Sequence, residues 1–267
     1  MSESTNEPGA AARHFAAAVV DAVFAAWAED LVERAALRSD ERVLDVGCGT
    51  GAVARAAAPR VGAAGHVTGI DNSAERLGVA QSLPPVPGAT IEWRLGDGTA
   101  LPFADGSFDV VLCQQVLHLI PDRGAALAEM RRVLGPGGRL GLSVWQAMEY
   151  SPGFLPVASA VARHLGPAEG SRFGRNFSLG DETELRRLVE AAGFSRIQIV
   201  QETKIADFAT PDDFIRYQID VNAARWSIAP ETQEAIVTDV REGLRSFVED
   251  GRLRFPRGAH VVLARRD

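Results

Sequence analysis

The most constraining feature of this sequence is an alternation of short apolar runs with helix-length segments between residues 42 and 145. The apolar runs predict strands, which are Val43–Val46, His66–Ile70, Thr90–Leu95, Phe108–Cys113 and Arg139–Trp145. Ala52–Val61, Ser73–Ser82 and Asp122–Leu134 have helical composition, and Gly135–Gly138 is predicted to be a turn. Strands separated by helices predict an α/β fold with a doubly wound, mostly parallel sheet and helices on both faces.

The segments on either side of this alternation are mainly helical in pattern. Before it, an apolar residue recurs every four positions, which predicts amphipathic helices; these residues are Phe15, Val19, Val23, Trp27 and Leu31. Met1–Ala10 is predicted to be a disordered tail. After it, helices are predicted at Leu155–Leu165 and Asp181–Ala192, a strand at Ser195–Val200, and a helical insert before the last strand, His260–Leu263. We divide the chain at 1–39, 40–147 and 148–267, within one structural domain overall.

Composition excludes several classes of protein. A net charge of −7 gives no general attraction to nucleic acid or to anionic membranes. Two cysteines exclude a disulfide scaffold and a CxxC-type zinc site, and we expect no metal. Met1–Ala10 holds two acids and no basic residue, so it is not predicted to be a secretory signal, and no apolar run reaches the length of a membrane span. We therefore expect a cytoplasmic protein without membrane insertion.

A glycine-rich loop, Gly47-Cys48-Gly49-Thr50-Gly51, lies between the first predicted strand and the following helix. Glycines allow a tight turn and a close approach of the backbone to a ligand, and the helix behind offers free N–H groups. Asp71 follows about twenty residues later at the end of the next strand, where an acid can hold a ribose diol. These features predict an adenosine-containing cofactor.

The loop alone leaves two cofactors open. Gly47-x-Gly49-x-x-Ala52 satisfies the dinucleotide motif, so an NAD-linked oxidoreductase remains an alternative. Asp45, two residues before the first glycine, suits a cationic amino group better than a pyrophosphate. Gly51 adds a third glycine at a tighter spacing.

Three downstream segments complete an ordered set of motifs: Leu95-Gly96-Asp97-Gly98-Thr99, Gly106-Ser107-Phe108-Asp109-Val110-Val111 and Leu134-Gly135-Pro136-Gly137-Gly138. Together with the glycine loop, they resemble the class I S-adenosylmethionine-dependent methyltransferases, in particular the subgroup similar to the ubiquinone and menaquinone biosynthesis enzymes (methyltransferase type 11). The resemblance covers roughly residues 42–145. It implies a Rossmann-like fold, S-adenosylmethionine as cofactor and S-adenosylhomocysteine as product.

The resemblance also assigns roles to individual residues. Asp45 and the loop glycines Gly47, Gly49 and Gly51 would hold the methionine end, and Asp71, with Asn72 beside it, the ribose. Asp97 would accept from the adenine amino group, with Gly98 and Thr99 making backbone contacts. Gln114 would lie beneath the sulfonium. Related enzymes carry a cover over the cofactor before the first strand, so the amino-terminal helices are predicted to be lid helices.

The implied reaction is an in-line displacement that moves a methyl group to O, N or C of a small, hydrophobic metabolite. A general base is needed only for an acidic nucleophile, and His118 is the best-placed candidate, although it could equally be a packed helix residue. The region after Trp145 is expected to bind the substrate, and its aromatic residues could line a pocket or form core; they are Phe154, Phe173, Phe177, Phe208, Phe214, Tyr217 and Trp226. A non-catalytic cofactor-binding protein and a homodimer both remain open.

Overall fold

The computed structural model describes residues 24–222 and 228–267, and it contains a mixed α/β fold. The strands are β1 (Arg42–Val46), β2 (His66–Asp71), β3 (Thr90–Leu95), β4 (Phe108–Gln114), β5 (Leu134–Trp145), β6 (Ser195–Phe208), β7 (Val248–Glu249) and β8 (Arg252–Arg265). The helices are α1 (residues 24–34), α2 (Ala52–Val61), α3 (Ala74–Ser82), α4 (Arg123–Val133), α5 (Leu155–Leu165), α6 (Pro167–Gly174), α7 (Glu182–Ala191), α8 (Pro211–Asn222) and α9 (Pro230–Gly243).

The strands form one sheet in the order β3-β2-β1-β4-β5-β8-β6, with β7 paired to β8. The pairs β3–β2, β2–β1, β1–β4 and β4–β5 are parallel, and β8 is antiparallel to β5. The sheet is therefore mostly parallel and doubly wound, as the sequence predicts. The chain leaves β1 toward β2 and β3 on one side and later returns to β4 on the other, so the strand order reverses between β1 and β4.

Alternating residues of the central strands are buried on both faces of the sheet. Val110 and Leu112 of β4 pack with α1 and α2, whereas Val111 and Cys113 pack with α4 and α7. Burial on both sides explains why these strands appear in the sequence as continuous apolar runs. Helices on both faces are thus confirmed.

Three of the predicted helices start at an acid or serine that caps them. The side chains of Ser73, Asp122 and Asp181 accept the backbone N–H three residues later, at Arg76, Ala125 and Glu184. Each cap satisfies an N–H group that has no partner within its helix. The helices therefore begin one residue after the polar residue at which the sequence places their start.

The predicted turn at Gly135–Gly138 is wrong, because the structure includes these glycines in β5. The N–H of Gly137 donates to the carbonyl of Arg266 at 2.7 Å, and the N–H of Arg266 donates to Gly138 at 3.0 Å. A distant segment of the chain thus supplies strand-like hydrogen bonds to a sequence typical of a turn. Strand β6 also extends to Phe208, eight residues beyond the predicted end at Val200.

Of the amphipathic stripe before the first strand, Trp27 and Leu31 lie within the described residues. Both are buried, and Leu31 packs in the cluster formed by α1, α2 and one face of the sheet. Phe15, Val19 and Val23 lie outside the described residues, so the lid remains a prediction.

The chain divides into two compact units, which we describe separately. The sheet unit consists of Ala25–Ser151, Gly174–Lys204 and Arg257–Asp267. The helical unit includes Pro152–Phe173 and Ile205–Pro256, and therefore α5, α8 and α9 before the last part of β8. The predicted helical insert before the last strand is confirmed.

Aromatic side chains form the core of the helical unit. Phe154 lies edge-on to Phe214 with ring centroids 5.3 Å apart, and Phe214 contacts Phe208 and Phe255 at 5.1 and 5.4 Å. These rings and Phe173 are at most 5% exposed. Phe154, Phe173, Phe208 and Phe214 therefore pack in a core, which is the second of the two roles that the sequence left open for them. Trp226 lies outside the described residues.

Within the described part of the chain, no helix is both long and apolar enough to span a bilayer.

Candidate active site

The candidate site lies where the carboxyl ends of β1 and β4 meet in the sheet unit. Crevices at such a reversal of strand order are the usual ligand sites of open α/β sheets. Gly47 follows β1, Val116 follows β4, and the two are in contact: a Cβ on Gly47 would lie 2.5 Å from Cγ1 of Val116. This close approach requires a residue without a side chain at position 47.

The glycine loop is held by backbone hydrogen bonds to the neighbouring strand. The N–H groups of Gly47 and Cys48 both donate to the carbonyl of Ile70, at 2.8 and 3.0 Å. Gly47, Gly49 and Gly51 have φ angles of 72°, 55° and 91°, in the left-handed region that favours glycine. Helix α2 starts at Ala52, immediately after the loop, so its first N–H groups face this edge of the sheet.

Asp45 lies beneath the loop and is 1% exposed. Its Oδ2 accepts the N–H of Ala54 at 3.0 Å, and its other oxygen accepts no hydrogen bond from the described residues. Burial raises the pKa of this carboxyl to about 7, and the nearby Asp71 adds to the rise. A buried carboxylate with so few donors is suited to a cationic partner, which would lower its pKa again.

Asp71, at the end of β2, connects the glycine loop to α3. Its Oδ2 accepts the N–H of Gly49 at 2.8 Å, and its Oδ1 accepts the N–H of Ser73 at 2.9 Å. The exposed Arg76 pairs with the same carboxylate at 3.0 Å and with Asn72 at 3.2 Å. The sequence interpretation missed Arg76, although its position one turn after Asp71 and Asn72 could have indicated the contact.

Asp97, Gly98 and Thr99 follow β3 at the same edge of the sheet. Asp97 is exposed and accepts both the N–H and the hydroxyl of Thr99, at 2.8 and 2.9 Å, and these bonds lower its pKa. A Cβ on Gly98 would lie 3.2 Å from Val46 and 3.5 Å from Ile120. Gly98 therefore packs close to the last residue of β1 and to the segment that follows β4.

The end of β4 and the segment after it carry three buried polar side chains. Gln114, the last residue of β4, is 9% exposed, and Gln115 and His118 are each 6% exposed. Burial lowers the pKa of His118 to about 4, and the nearby Arg123 and Arg257 contribute to the shift. The structure thus brings His118 and Gln114 to the edge of the sheet that carries the glycine loop.

Arg257 is a second basic residue that sequence reasoning missed. It lies in β8 and is 6% exposed, with its guanidinium 3.5 Å from the centre of the Trp145 ring at the end of β5. Trp145 in turn lies edge-on to Trp27 at 5.5 Å. No local sequence pattern predicts this stack, because its members come from three distant parts of the chain.

The two cysteines are buried, and burial is the largest influence on the pKa of each thiol. Burial raises the pKa of Cys48 and Cys113 far above the usual range of a thiol. Within residues 24–222 and 228–267, no group of three or more His, Cys, Asp or Glu side chains is arranged to hold a metal ion.

Comparison with known proteins connects this geometry to a family. A sequence model described as a methyltransferase domain matches residues 44–142. The demethylmenaquinone methyltransferase of Staphylococcus aureus is 31% identical over 184 residues, which are 65% of this chain and 76% of that protein. The chain belongs to the class I S-adenosylmethionine-dependent methyltransferases of the type 11 group. The cofactor of this family is S-adenosylmethionine.

Other similar proteins are matched over a smaller share of their own length or at a lower sequence identity. An uncharacterised 37.1 kDa protein from transposon Tn4556 of Streptomyces fradiae is 37% identical over 174 residues, 63% of this chain; the chain spans 47% of that protein's length. A proposed methyltransferase of Bacillus halodurans has a TM-score of 0.58 at 24% identity and covers 90% of this chain and 98% of its own. The Haemonchus contortus phosphoethanolamine N-methyltransferase 2, solved with S-adenosylhomocysteine, has a TM-score of 0.57 at 16% identity, covering 93% and 56%. These two structures support the fold.

Proposed function

We propose that this methyltransferase moves a methyl group from S-adenosylmethionine to O, N or C of a small, apolar metabolite by in-line displacement. The observation that carries the proposal is the hydrogen-bonded arrangement at the reversal of strand order. There, one buried carboxylate lies under the glycine loop and a second accepts an N–H from it. The name of the demethylmenaquinone methyltransferase relative supports a small apolar acceptor.

The residues at the site fit S-adenosylmethionine. Asp45 is buried with one hydrogen bond, so it gains from a cationic amino group, which the methionine end of the cofactor supplies. A Cβ on Gly49 would meet no atom within 4 Å, so space is open in front of the loop. Gly47 and Gly51 shape the same turn. We assign this end of the site to the methionine part of the cofactor.

We assign the ribose to Asp71 and Asn72. Each carboxylate oxygen of Asp71 can accept more than one hydrogen bond, so the bonds from Gly49 and Ser73 leave capacity for ribose hydroxyls. The exposed Arg76 can move away from the carboxylate at little cost.

For the adenine we assign Asp97, whose exposed carboxylate can accept from the exocyclic amino group. Gly98 and Thr99 supply backbone contacts beside it, and Gln114 lies beneath the sulfonium. The bound cofactor supplies an electrophilic methyl group on a positively charged sulfur. The chain has to align the methyl acceptor and exclude water.

His118 is our candidate for the contact with the methyl acceptor. A pKa of about 4 keeps its ring neutral at pH 7, and Arg123 and Arg257 disfavour its protonated form. It is therefore a weak base that serves better to accept a hydrogen bond than to store a proton. An amine acceptor can lose its proton after transfer, so a strong base is not required.

The partner is a small molecule rather than nucleic acid; a cytoplasmic location and a homodimer remain predictions.

Calorimetric titration separates the proposed function from the NAD-linked oxidoreductase. S-adenosylhomocysteine should bind with a Kd in the micromolar range and NAD should give no detectable heat. NAD binding without a response to S-adenosylhomocysteine would instead support an oxidoreductase.

A screen of small acceptors for release of S-adenosylhomocysteine then tests catalysis. Release with at least one apolar hydroxyl, amine or activated-carbon compound is expected. Cofactor binding without turnover of any compound in a broad screen would favour a non-catalytic binding protein.

A further inference from the structure

Gln115 has a conformation and an environment that packing alone does not explain. It directly follows β4 with a φ of 55°, a left-handed angle that glutamine rarely adopts. Its N–H donates to the carbonyl of Ser143 at 2.8 Å, and its Nε2 reaches Oγ of Ser143 at 3.5 Å. Its Oε1 is buried and has no hydrogen-bond partner in the described part of the chain.

His118, three residues later, also carries a buried polar atom without a hydrogen-bond partner in the described residues. This atom is Nδ1 of its ring. The short helix Leu117–Leu119 holds the segment, because the N–H of Leu119 donates to the carbonyl of Val116 at 2.8 Å. The neutral ring can present Nδ1 as a hydrogen-bond acceptor.

The topology places this pair on the β4 side of the reversal of strand order, beside Gln114 and apart from the three acids proposed to bind the cofactor. Asp45, Asp71 and Asp97 follow β1, β2 and β3, on one side of the reversal of strand order. Gln115 follows β4 and is bonded to Ser143 of β5, on the other side. Val116 connects the two sides, since it contacts Gly47 of the glycine loop.

Buried acceptors without donors are costly, and structures rarely keep them unless a ligand or water satisfies them. We propose that Oε1 of Gln115 and Nδ1 of His118 together bind a hydrogen-bond donor on the methyl acceptor: an amino group can donate one hydrogen to each atom, and a hydroxyl shares its single hydrogen between them. This inference rests on the proposed function and makes it more specific. The substrate class is an apolar molecule with an O–H or N–H group, which the pair orients next to the cofactor.

A matched pair of probes tests the inference on protein saturated with S-adenosylhomocysteine. 2-Naphthol carries one hydroxyl, and 2-methoxynaphthalene has the same rings without a donor. Because a site built around a hydrogen bond rejects an analogue that lacks it, calorimetry should give a Kd about tenfold lower for 2-naphthol. Gln115→Gly and His118→Leu should each reduce this preference to about threefold or less.

Gln115→Gly is chosen because glycine adopts the left-handed angle without strain, so the variant should fold. Gln201→Leu, which removes an exposed glutamine on β6, is the matched control and should keep the full preference. Gln115→Asn keeps an amide that tolerates the same angle and should restore part of the preference.

The inference would be overturned by equal affinity of the native protein for both probes, by no binding of 2-naphthol, or by an unchanged preference in both Gln115→Gly and His118→Leu. A parallel loss of S-adenosylhomocysteine and 2-naphthol affinity in Gln115→Gly would also overturn it, because the amide would then serve the cofactor. Failure of the native protein to bind S-adenosylhomocysteine would contradict the proposed function itself, and this titration is performed first.

Discussion

Removal of the Asp71 carboxylate should damage both the fold of the glycine loop and cofactor binding. Asp71→Ala leaves the N–H groups of Gly49 and Ser73 without their present acceptor. A hydrogen bond to a charged group contributes about 1.5–3 kcal/mol, and both donors are half-buried, so the lower figure applies. The pair with Arg76 adds little, because that guanidinium is half exposed. The sum is about 3 kcal/mol of unfolding free energy.

Urea unfolding measures this loss, and calorimetry with S-adenosylhomocysteine measures the second effect. If Asp71 also holds the ribose, Asp71→Ala should weaken binding by about 2 kcal/mol or more, roughly a 30-fold rise in Kd. Asp71→Asn keeps one oxygen acceptor and should lose about half of the stability that the alanine variant loses.

Asp109→Ala is a suitable control, because Asp109 also accepts three hydrogen bonds, all from Arg42. Its side chain is 38% exposed and lies at the amino end of β4, away from the glycine loop. The variant should lose at most about 1 kcal/mol and bind S-adenosylhomocysteine normally. If Asp71→Ala loses no more stability than Asp109→Ala, our reasoning about the loop is refuted.

Three further predictions concern the same site. The pKa of Asp45 is raised to about 7, so the apo protein holds a proton there below pH 7. The affinity for S-adenosylhomocysteine should therefore rise with pH up to about 7 in the native protein and stay constant with pH in Asp45→Asn. The same pH dependence of affinity in both proteins would contradict this prediction. Gly51→Ala should lower the Tm more than Gly49→Ala, because its Cβ would lie 2.3 Å from the Trp93 ring and that of Gly49 would meet nothing; equal Tm values would argue against this packing. The pKa of His118 is lowered to about 4, so the protein should lose stability from this group as the pH falls below about 6.5. NMR should show no titration of the His118 ring between pH 5.5 and 8, and a titration midpoint near pH 6.5 would exclude a buried neutral ring.

Much of the sheet could be predicted from the sequence because its pattern is local. Apolar runs bounded by glycines gave β1 to β4 to within one residue, and the polar residues Ser73, Asp122 and Asp181 marked the starts of helices. The beginning of β5 could not be predicted in this way, since its glycines become a strand only through hydrogen bonds to Arg266.

The candidate site was only partly accessible to sequence reasoning. Asp45, the loop glycines and Asp71 stand next to recognisable strands, so the sequence predicted that they share one edge of the sheet. The left-handed angle of Gln115 and the position of Arg257 over Trp145 depend on contacts between distant segments. Such tertiary contacts leave no periodic pattern in the chain.

The contact between Gly47 and Val116 links two positions in the evolution of this protein. Alanine at 47 would overlap the valine, so that substitution becomes tolerable only after residue 116 has become smaller. Part of the penalty would remain, because the φ of 72° disfavours any side chain at 47. Among descendants of this sequence, changes at the two positions should therefore occur in a fixed order, first at 116 and then at 47.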